Sequence, residues 1–377
     1  MNTEHLTKKG LFLIWILATF ITFPIHTFIS KKKAKKLDSK KRILVIPQLT
    51  RIGDIVCSTG VFLNIKENSP ESYLAVLVSK KAVGILKCNP RIDELILIED
   101  YSFFALIKKI QKTNFNYGIN LSATSKNTCL FVWGQVANRI KTVVETPPVT
   151  ECLTDWMCNF KSLYKNHTYL PAHHISLLKF LGIVNPKDKK EVFLSSSAEE
   201  RAKEWQKKFQ NETKIIGISI TAGNKIKELG DEKFEDLIKK ILLIENIAII
   251  CIGSKNDKER IEALVKKIGS QKFTSETNWS LEELPSLIKR LALYIAVDTG
   301  PIYIAHALNV PLIDIIGPCD GSEQPPKDDA SIQILPRGEV KPSSFVFKKR
   351  GTKEEIEKAL KETHIEDILE AVKKILK

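Results

Sequence analysis

Short apolar blocks alternate with amphipathic stretches along most of this chain. From Arg42 onward, residues 43–47 predict a strand, 55–67 a helix and 73–78 a strand. Residues 80–87 then predict a helix, 94–98 a strand, 103–112 a helix and 117–121 a strand. Such alternation builds a parallel sheet with helices on both faces. The rhythm breaks over 145–191, which carries Pro147-Pro148 and His173-His174, and 185–191 reads as a linker. A helix at 198–209 comes next. The alternation then restarts with a strand at 215–220, a helix at 231–244, a strand at 247–252 and helices at 257–268 and 281–290.

Residues 293–320 close this second series. The apolar run 293–297 stops at Asp298-Thr299-Gly300-Pro301. An amphipathic run, 302–308, precedes a second apolar run, 310–316, which ends at Gly317-Pro318. The pattern reads as strand, turn, helix, strand, turn. Pro301 suits a first helical turn, where its missing N–H costs nothing. The turn then aims the N–H groups of Thr299 and Gly300 and a helix N-terminus at one spot, which favours phosphate. Residues 352–377, rich in Lys and Glu, predict helix that packs back across the first domain.

Two further loops carry candidate chemistry. In Gln48-Leu49-Thr50-Arg51-Ile52-Gly53-Asp54, Gly53 permits a tight turn and Asp54 stands where a helix begins. A carboxylate there serves either as a general base toward a hydroxyl or as a helix N-cap. After the strand at 215–220, Thr221, Ala222 and Gly223 form a compact loop with Lys225 and Lys227, and a lysine there suits a diphosphate. The chain holds no GxGxxG and no GxxxxGK[ST], so neither a dinucleotide fingerprint nor a P-loop is supported. Asp-Thr-Gly also occurs in aspartic proteases, but here it stands once, in an α/β pattern.

At 377 residues the chain is long for one core and comfortable for two domains. The net charge of +14 raises nucleic acid as a partner, but residues 31–42 alone hold eight Lys/Arg against one Asp. No aromatic–basic alternation marks a stacking surface, so nucleic acid is not expected. The basic block comes after the apolar segment 11–29, about 28 Å long as a helix and enough to span hydrocarbon or to lie in the interface. Basic flanks place the large C-terminal part in the cytoplasm, against anionic lipid. A cleaved leader is the plainer alternative. Seven scattered cysteines without a CxxC pair read as reduced thiols, and no metal site is expected.

Taken together, these segments resemble glycosyltransferase family 9, the ADP-heptose:lipopolysaccharide heptosyltransferase family. The motifs are Thr50-Arg51-Ile52-Gly53-Asp54, the stretch NPRIDELI at 89–96, Lys227, the run from Val297 through Asp298, Thr299, Gly300 and Pro301 to Leu308, IGPCD at 316–320, and the helix at 365–376. The resemblance implies a GT-B fold, with two Rossmann-like domains facing a central cleft; the apolar segment 11–29 is expected to precede them as an N-terminal membrane-anchor helix, which is not typical of the family's best-known members. The expected divisions are an anchor with a basic juxtamembrane segment (1–41), an acceptor domain (42–190), a nucleotide-sugar domain (191–350) and C-terminal helices (351–377).

The resemblance also implies inverting, metal-independent transfer from a nucleotide-sugar, without a cofactor, to a lipid-linked glycan at the inner membrane. Asp54 would be the base. Thr221, Gly223, Lys227, Asp298, Thr299, Gly300 and Tyr303 would bind the donor, with Asp257 near the ribose and Arg51 and Asn120 on the acceptor side. Three positions depart from the family pattern: Tyr303 replaces a His, Gln48 a basic residue and Asn120 an Asp. They motivate a second reading, a non-catalytic nucleotide-sugar or glycan binder on the same scaffold; a nucleotide-sugar epimerase is a third.

Overall fold

The computed structural model describes residues 3–34, 40–209, 213–347 and 351–377. Part of the basic block, 35–39, lies outside the described residues, as do 348–350 beside the boundary drawn at 350 and the side chains of Lys8 and Lys9. Packing divides the chain into two compact units. One comprises Met1–Arg51, Ser58–Val83 and Asn89–Lys189, and the other Ile52–Cys57, Gly84–Cys88 and Lys190–Lys377.

The first unit is built on β1 (Arg42–Ile46), β2 (Tyr73–Val78), β3 (Glu94–Leu97), β4 (Tyr117–Asn120), β5 (Asn138–Val144) and β6 (Phe160–Tyr164). They form one parallel sheet in the order β3-β2-β1-β4-β5-β6. This is the doubly wound order, with its reversal between β1 and β4. Its helices are α1 (Thr3–Ala34), α2 (Ile52–Asn68, whose first turn belongs to the second unit), α3 (Phe103–Thr113), α4 (Ser125–Trp133), α5 (Val149–Asp155) and α6 (Leu170–Ser176). The core gathers Leu44, Ile46, Leu77, Ile110, Phe115 and Phe131.

The second unit repeats the winding. Its strands β7 (Lys214–Ser219), β8 (Ile247–Ile252), β9 (Phe273–Glu276), β10 (Leu293–Val297), β11 (Leu312–Ile315) and β12 (Ser331–Ile334) lie in the order β12-β11-β10-β7-β8-β9, again all parallel. Counted from β7, the order and the reversal point match those of the first sheet. β8 and β10 are buried along their whole length, as central parallel strands are. The helices are α7 (Ser196–Gln206), α8 (Asp231–Ile241), α9 (Lys258–Ile268), α10 (Leu284–Ile288), α11 (Gly300–Ala307), α12 (Lys353–Lys361) and α13 (Ile365–Leu376). α8 buries Phe234, Leu237, Ile238 and Ile241, one helical face.

One expectation is corrected. Residues 80–87 hold only a short 3₁₀ turn, Val83–Ile85, because Gly84 interrupts the stretch and Asn89-Pro90 stops it. α13 lays Ile365, Ile368, Ala371 and Val372 into the core of the second unit, beside α8.

Candidate active site

In a doubly wound sheet, ligands sit beyond the carboxyl ends of the strands at the point where the order reverses. In the second unit that point lies between β7 and β10, and both emerging loops carry polar side chains. Asp298 follows β10 directly and Thr299 takes the N-cap position of α11, with Pro301 in the first turn. The N–H groups at the start of α11 therefore point out of the sheet end, where partial positive charge collects.

After β7, a loop runs through Thr221 and the exposed Gly223 to a 3₁₀ turn, Lys225–Lys227. Glu228 closes this loop by accepting from the Ala222 N–H at 3.1 Å. Arg260 on α9 holds Glu228 at 2.7 Å and Asp231 at 2.6 Å, bracing the loop from outside. Lys227 reaches across to the neighbouring turn. Its Nζ lies 2.7 Å from Asp298 Oδ2 and 3.2 Å from the Asp298 carbonyl oxygen. Tyr303 Oη donates to Asp298 Oδ1 at 2.6 Å. The ammonium also stands 4.5 Å from the centre of the Phe345 ring.

These groups are nearly dry. Burial alone pushes the Asp298 carboxyl up, but the Lys227 charge and the hydrogen bonds from Lys227 and Tyr303 hold it below the usual carboxylate range. Burial opposes the Lys227 charge, and the Asp298 carboxylate more than restores it, so the ammonium sits above its ordinary value. Burial and the same carboxylate raise the Tyr303 phenol. Below the pair, on β11, Asp314 is fully buried, and neither carboxyl oxygen has a hydrogen-bond partner among the described residues. Burial, and then the Asp298 charge, push it well above the carboxylate range, which favours its neutral form.

The first turn of α2 belongs to this same unit. Arg51 takes the N-cap position, so Asp54 is not the cap; it stands inside the first turn. Asp54 is 5 % exposed and accepts from Gln324 Nε2 at 3.2 Å. Two glycines let the turns approach. A Cβ on Gly53 would stand 2.8 Å from Tyr303 Cδ2, and one on Gly300 would stand 2.7 Å from Ile52 Cβ.

Of the residues expected in the site, Asp54, Thr221, Gly223, Lys227, Asp298, Thr299, Gly300 and Tyr303 all fall in this unit. Asp257 also lies there, where its Oδ2 accepts from Ser254 N at 2.8 Å and Ser254 Oγ at 2.5 Å in a capping box. Asn120 ends β4 in the first unit. Its amide donates to Thr124 O at 2.9 Å, and its Oδ1 accepts from Ser122 and Asn127 at 3.0 and 3.2 Å. Arg51 precedes α2 in the first unit. Gln324, Phe345 and the Arg260 brace escaped the sequence reading. The one signal for Gln324 was its place in a Gly/Pro-rich loop after the strand beside β10.

Comparison with known proteins bears on the fold and the family. Residues 103–349 match the model of glycosyltransferase family 9 (heptosyltransferase), a stretch that begins beyond Asp54. The chain is 23 % identical over 351 residues to lipopolysaccharide heptosyltransferase 3 of Escherichia coli strain K12, covering 86 % of this chain and 95 % of that protein. A family 9 glycosyltransferase from Veillonella parvula DSM 2008 shares the fold with a TM-score of 0.72 at 18 % identity, over 89 % of this chain and 97 % of that one. The E. coli ADP-heptose lipopolysaccharide heptosyltransferase II does so with a TM-score of 0.70 at 16 % identity, over 89 % and 98 %. The two parallel α/β sheets thus resemble those of GT-B heptosyltransferases. With about two thirds of its length matched to the family model, this chain belongs to glycosyltransferase family 9 and is a glycosyltransferase.

Proposed function

We propose that the chain transfers a heptosyl unit from an ADP-heptose-type donor to a lipid-linked, lipopolysaccharide-type acceptor at the cytoplasmic face of the inner membrane, with inversion and without a metal. Family membership supports heptosyl transfer. The names of its relatives support the donor and acceptor classes. The observation that carries the reading is the Lys227–Asp298 pair at the strand-order reversal, with the start of α11 beside it.

In this reading the acceptor hydroxyl attacks the anomeric carbon while the bond from that carbon to the diphosphate oxygen breaks. The hydroxyl proton passes to Asp54, and ADP departs. The N–H groups of Thr299 and Gly300, with Thr221 and the positive Lys227, receive the charge growing on the diphosphate. Lys227 also grips both the side chain and the carbonyl of Asp298, so the turn is preorganised before the donor arrives, which is what electrostatic stabilisation requires. The apolar outward side of α1 and the lysines in its last turn support membrane association.

The test is ADP release from ADP-heptose with and without a lipopolysaccharide-type acceptor, comparing wild type with Asp54→Asn. Acceptor-dependent release that falls roughly 100-fold or more in the variant supports the reading. Full activity of Asp54→Asn removes Asp54 as the base. Conversion of the donor sugar without acceptor points to an epimerase instead. Stabilisation by ADP-sugars but not UDP- or GDP-sugars reads the donor base by mass action.

A further inference from the structure

α1 does not stand away from the first unit. Phe12 lies under Lys126 Nζ, 5.3 Å from the ring centre. Thr19 Oγ1 accepts from Trp133 Nε1 at 2.9 Å, and the His26 ring lies 5.4 Å from that of Trp133. The Phe23 ring takes the Arg139 guanidinium at 5.4 Å and the edge of Trp156 at 4.7 Å. Lys33 Nζ donates to Gln135 Oε1 at 2.6 Å. Ile16, Thr19 and Ser30 are buried on this side. The hydroxyls of Thr19, Thr22 and Ser30 bond back to helix carbonyls.

The opposite side is bare and apolar. Ile14, Leu17, Ile21, Ile25 and Phe28 are 62–76 % exposed. Lys31 and Lys32, also exposed, end the same side. Trp15 and Phe20 lie about 140° apart around the helix at 3.6 residues per turn, and each extends the apolar side onto the domain. Trp15 meets Phe103, which leads to the exposed Phe104, and Phe20 meets the half-exposed Trp156 on the α5 side.

We infer that α1 is an in-plane docking face for a lipid bilayer: the helix lies flat on the first unit, with its bare side and the flanking aromatics in the interface, and does not cross the membrane. This rests on the membrane association proposed above and fixes its geometry. From Phe12 to Lys33 the helix runs roughly 32 Å, the depth of a hydrocarbon core, in contact with the domain throughout. Crossing the bilayer with those contacts intact would carry Lys126, Arg139 and Gln135 down beside it, where charged and amide groups are unstable. Lying flat leaves them on the water side and sets Lys31 and Lys32 among anionic headgroups. Trp and Phe at the margins of the face suit the interfacial zone, where aromatic rings collect.

The full chain is tested with vesicles of phosphatidylethanolamine and phosphatidylglycerol and in spheroplasts. Flotation with the vesicles should fall at least tenfold in Ile21→Glu/Phe28→Glu and stay unchanged in Leu243→Glu, a control on the second unit; melting curves confirm that all three are folded. A Gly10→Cys thiol should resist a membrane-impermeant maleimide in intact spheroplasts and react after lysis, as should the exposed native Cys152. Labelling of Gly10→Cys from outside, with flotation retained, means that the helix spans; that overturns the flat geometry while membrane association survives. Failure of the wild type to float removes membrane association itself. Dimerisation broken by the same glutamates would then assign the face to a second copy, and the inference would fail.

Discussion

The ring of Tyr303 lies directly over Gly53, so close that a methyl group on residue 53 would stand 2.8 Å from Cδ2. Tyr303 is itself buried and tied to Asp298, so the ring has nowhere to retreat. Gly53→Ala should therefore push Tyr303 off its carboxylate. Overpacking of this kind costs about 1–3 kcal/mol. Thermal melts should show that loss together with a higher KM for the donor, whereas Ser58→Ala, further along α2, should leave KM unchanged.

Lys227→Met should be worse for folding than the removal of both partners. Alone it strands the buried Asp298 carboxylate, a loss of about 3–5 kcal/mol. Lys227→Met/Asp298→Leu should recover much of that stability in denaturant titrations. Both variants should lose nucleotide-dependent stabilisation, since neither keeps the cation. Recovery of stability without recovery of donor binding separates the two roles of Lys227.

Tyr303→Phe removes one of the hydrogen bonds that hold Asp298 ionised. Hydrogen bonds to charged groups contribute about 1.5–3 kcal/mol. A carboxyl depressed in the folded state contributes stability above its unfolded value, and that stability is lost as pH falls through the folded value. The variant should lose stability, and the acid limb of its stability profile should move to higher pH. A limb that stays in place would mean that the phenol does not support the carboxylate.

Asp314 has the opposite sign. Burial raises its carboxyl in the folded chain, so just above the unfolded carboxylate value the unfolded chain releases a proton that the folded chain keeps. It therefore costs stability at neutral pH and costs less as pH falls toward 4. Asp314→Val should raise the melting temperature at pH 7 by an amount worth about 1–3 kcal/mol, and by less at pH 4.

In the first unit, burial pushes His173 down to about 4 and His174 to about 3. The unfolded chain takes up these protons near pH 6.5 and the folded one does not. Stability should fall between pH 6.5 and about 3, and His173→Asn should flatten the part of that decline above pH 4.

The sequence shows its central strands plainly because they are buried on both faces: β1, β2, β7, β8 and β10 read as apolar runs. β5 was invisible for a physical reason. Its buried residues include Arg139, held by the carbonyls of Met157 and Val136 at 2.7 Å each, and Lys141, paired with Asp155 at 2.5 Å. Such residues look like a solvated loop until their partners are known. β6, β9 and β12 are sheet edges that bury only one residue each, so no continuous apolar run marks them. Asp54, Lys227 and 298–300 were legible as candidates because each comes after a readable strand with Gly, Asp or Pro punctuation. Gln324 and Phe345 come from irregular chain, where no periodicity tells which side chain will arrive.

The indoles of this protein are sorted by unit. Trp15, Trp133 and Trp156 gather along α1, while Trp205 and Trp279 in the second unit share one carboxylate, Glu276, at 2.6 and 2.9 Å. Intrinsic fluorescence is thus divided into two independent reporters. With Trp205 and Trp279 changed to Phe, the remaining emission tracks the surroundings of α1 alone. The complementary triple replacement watches the second unit melt without a dye or a label.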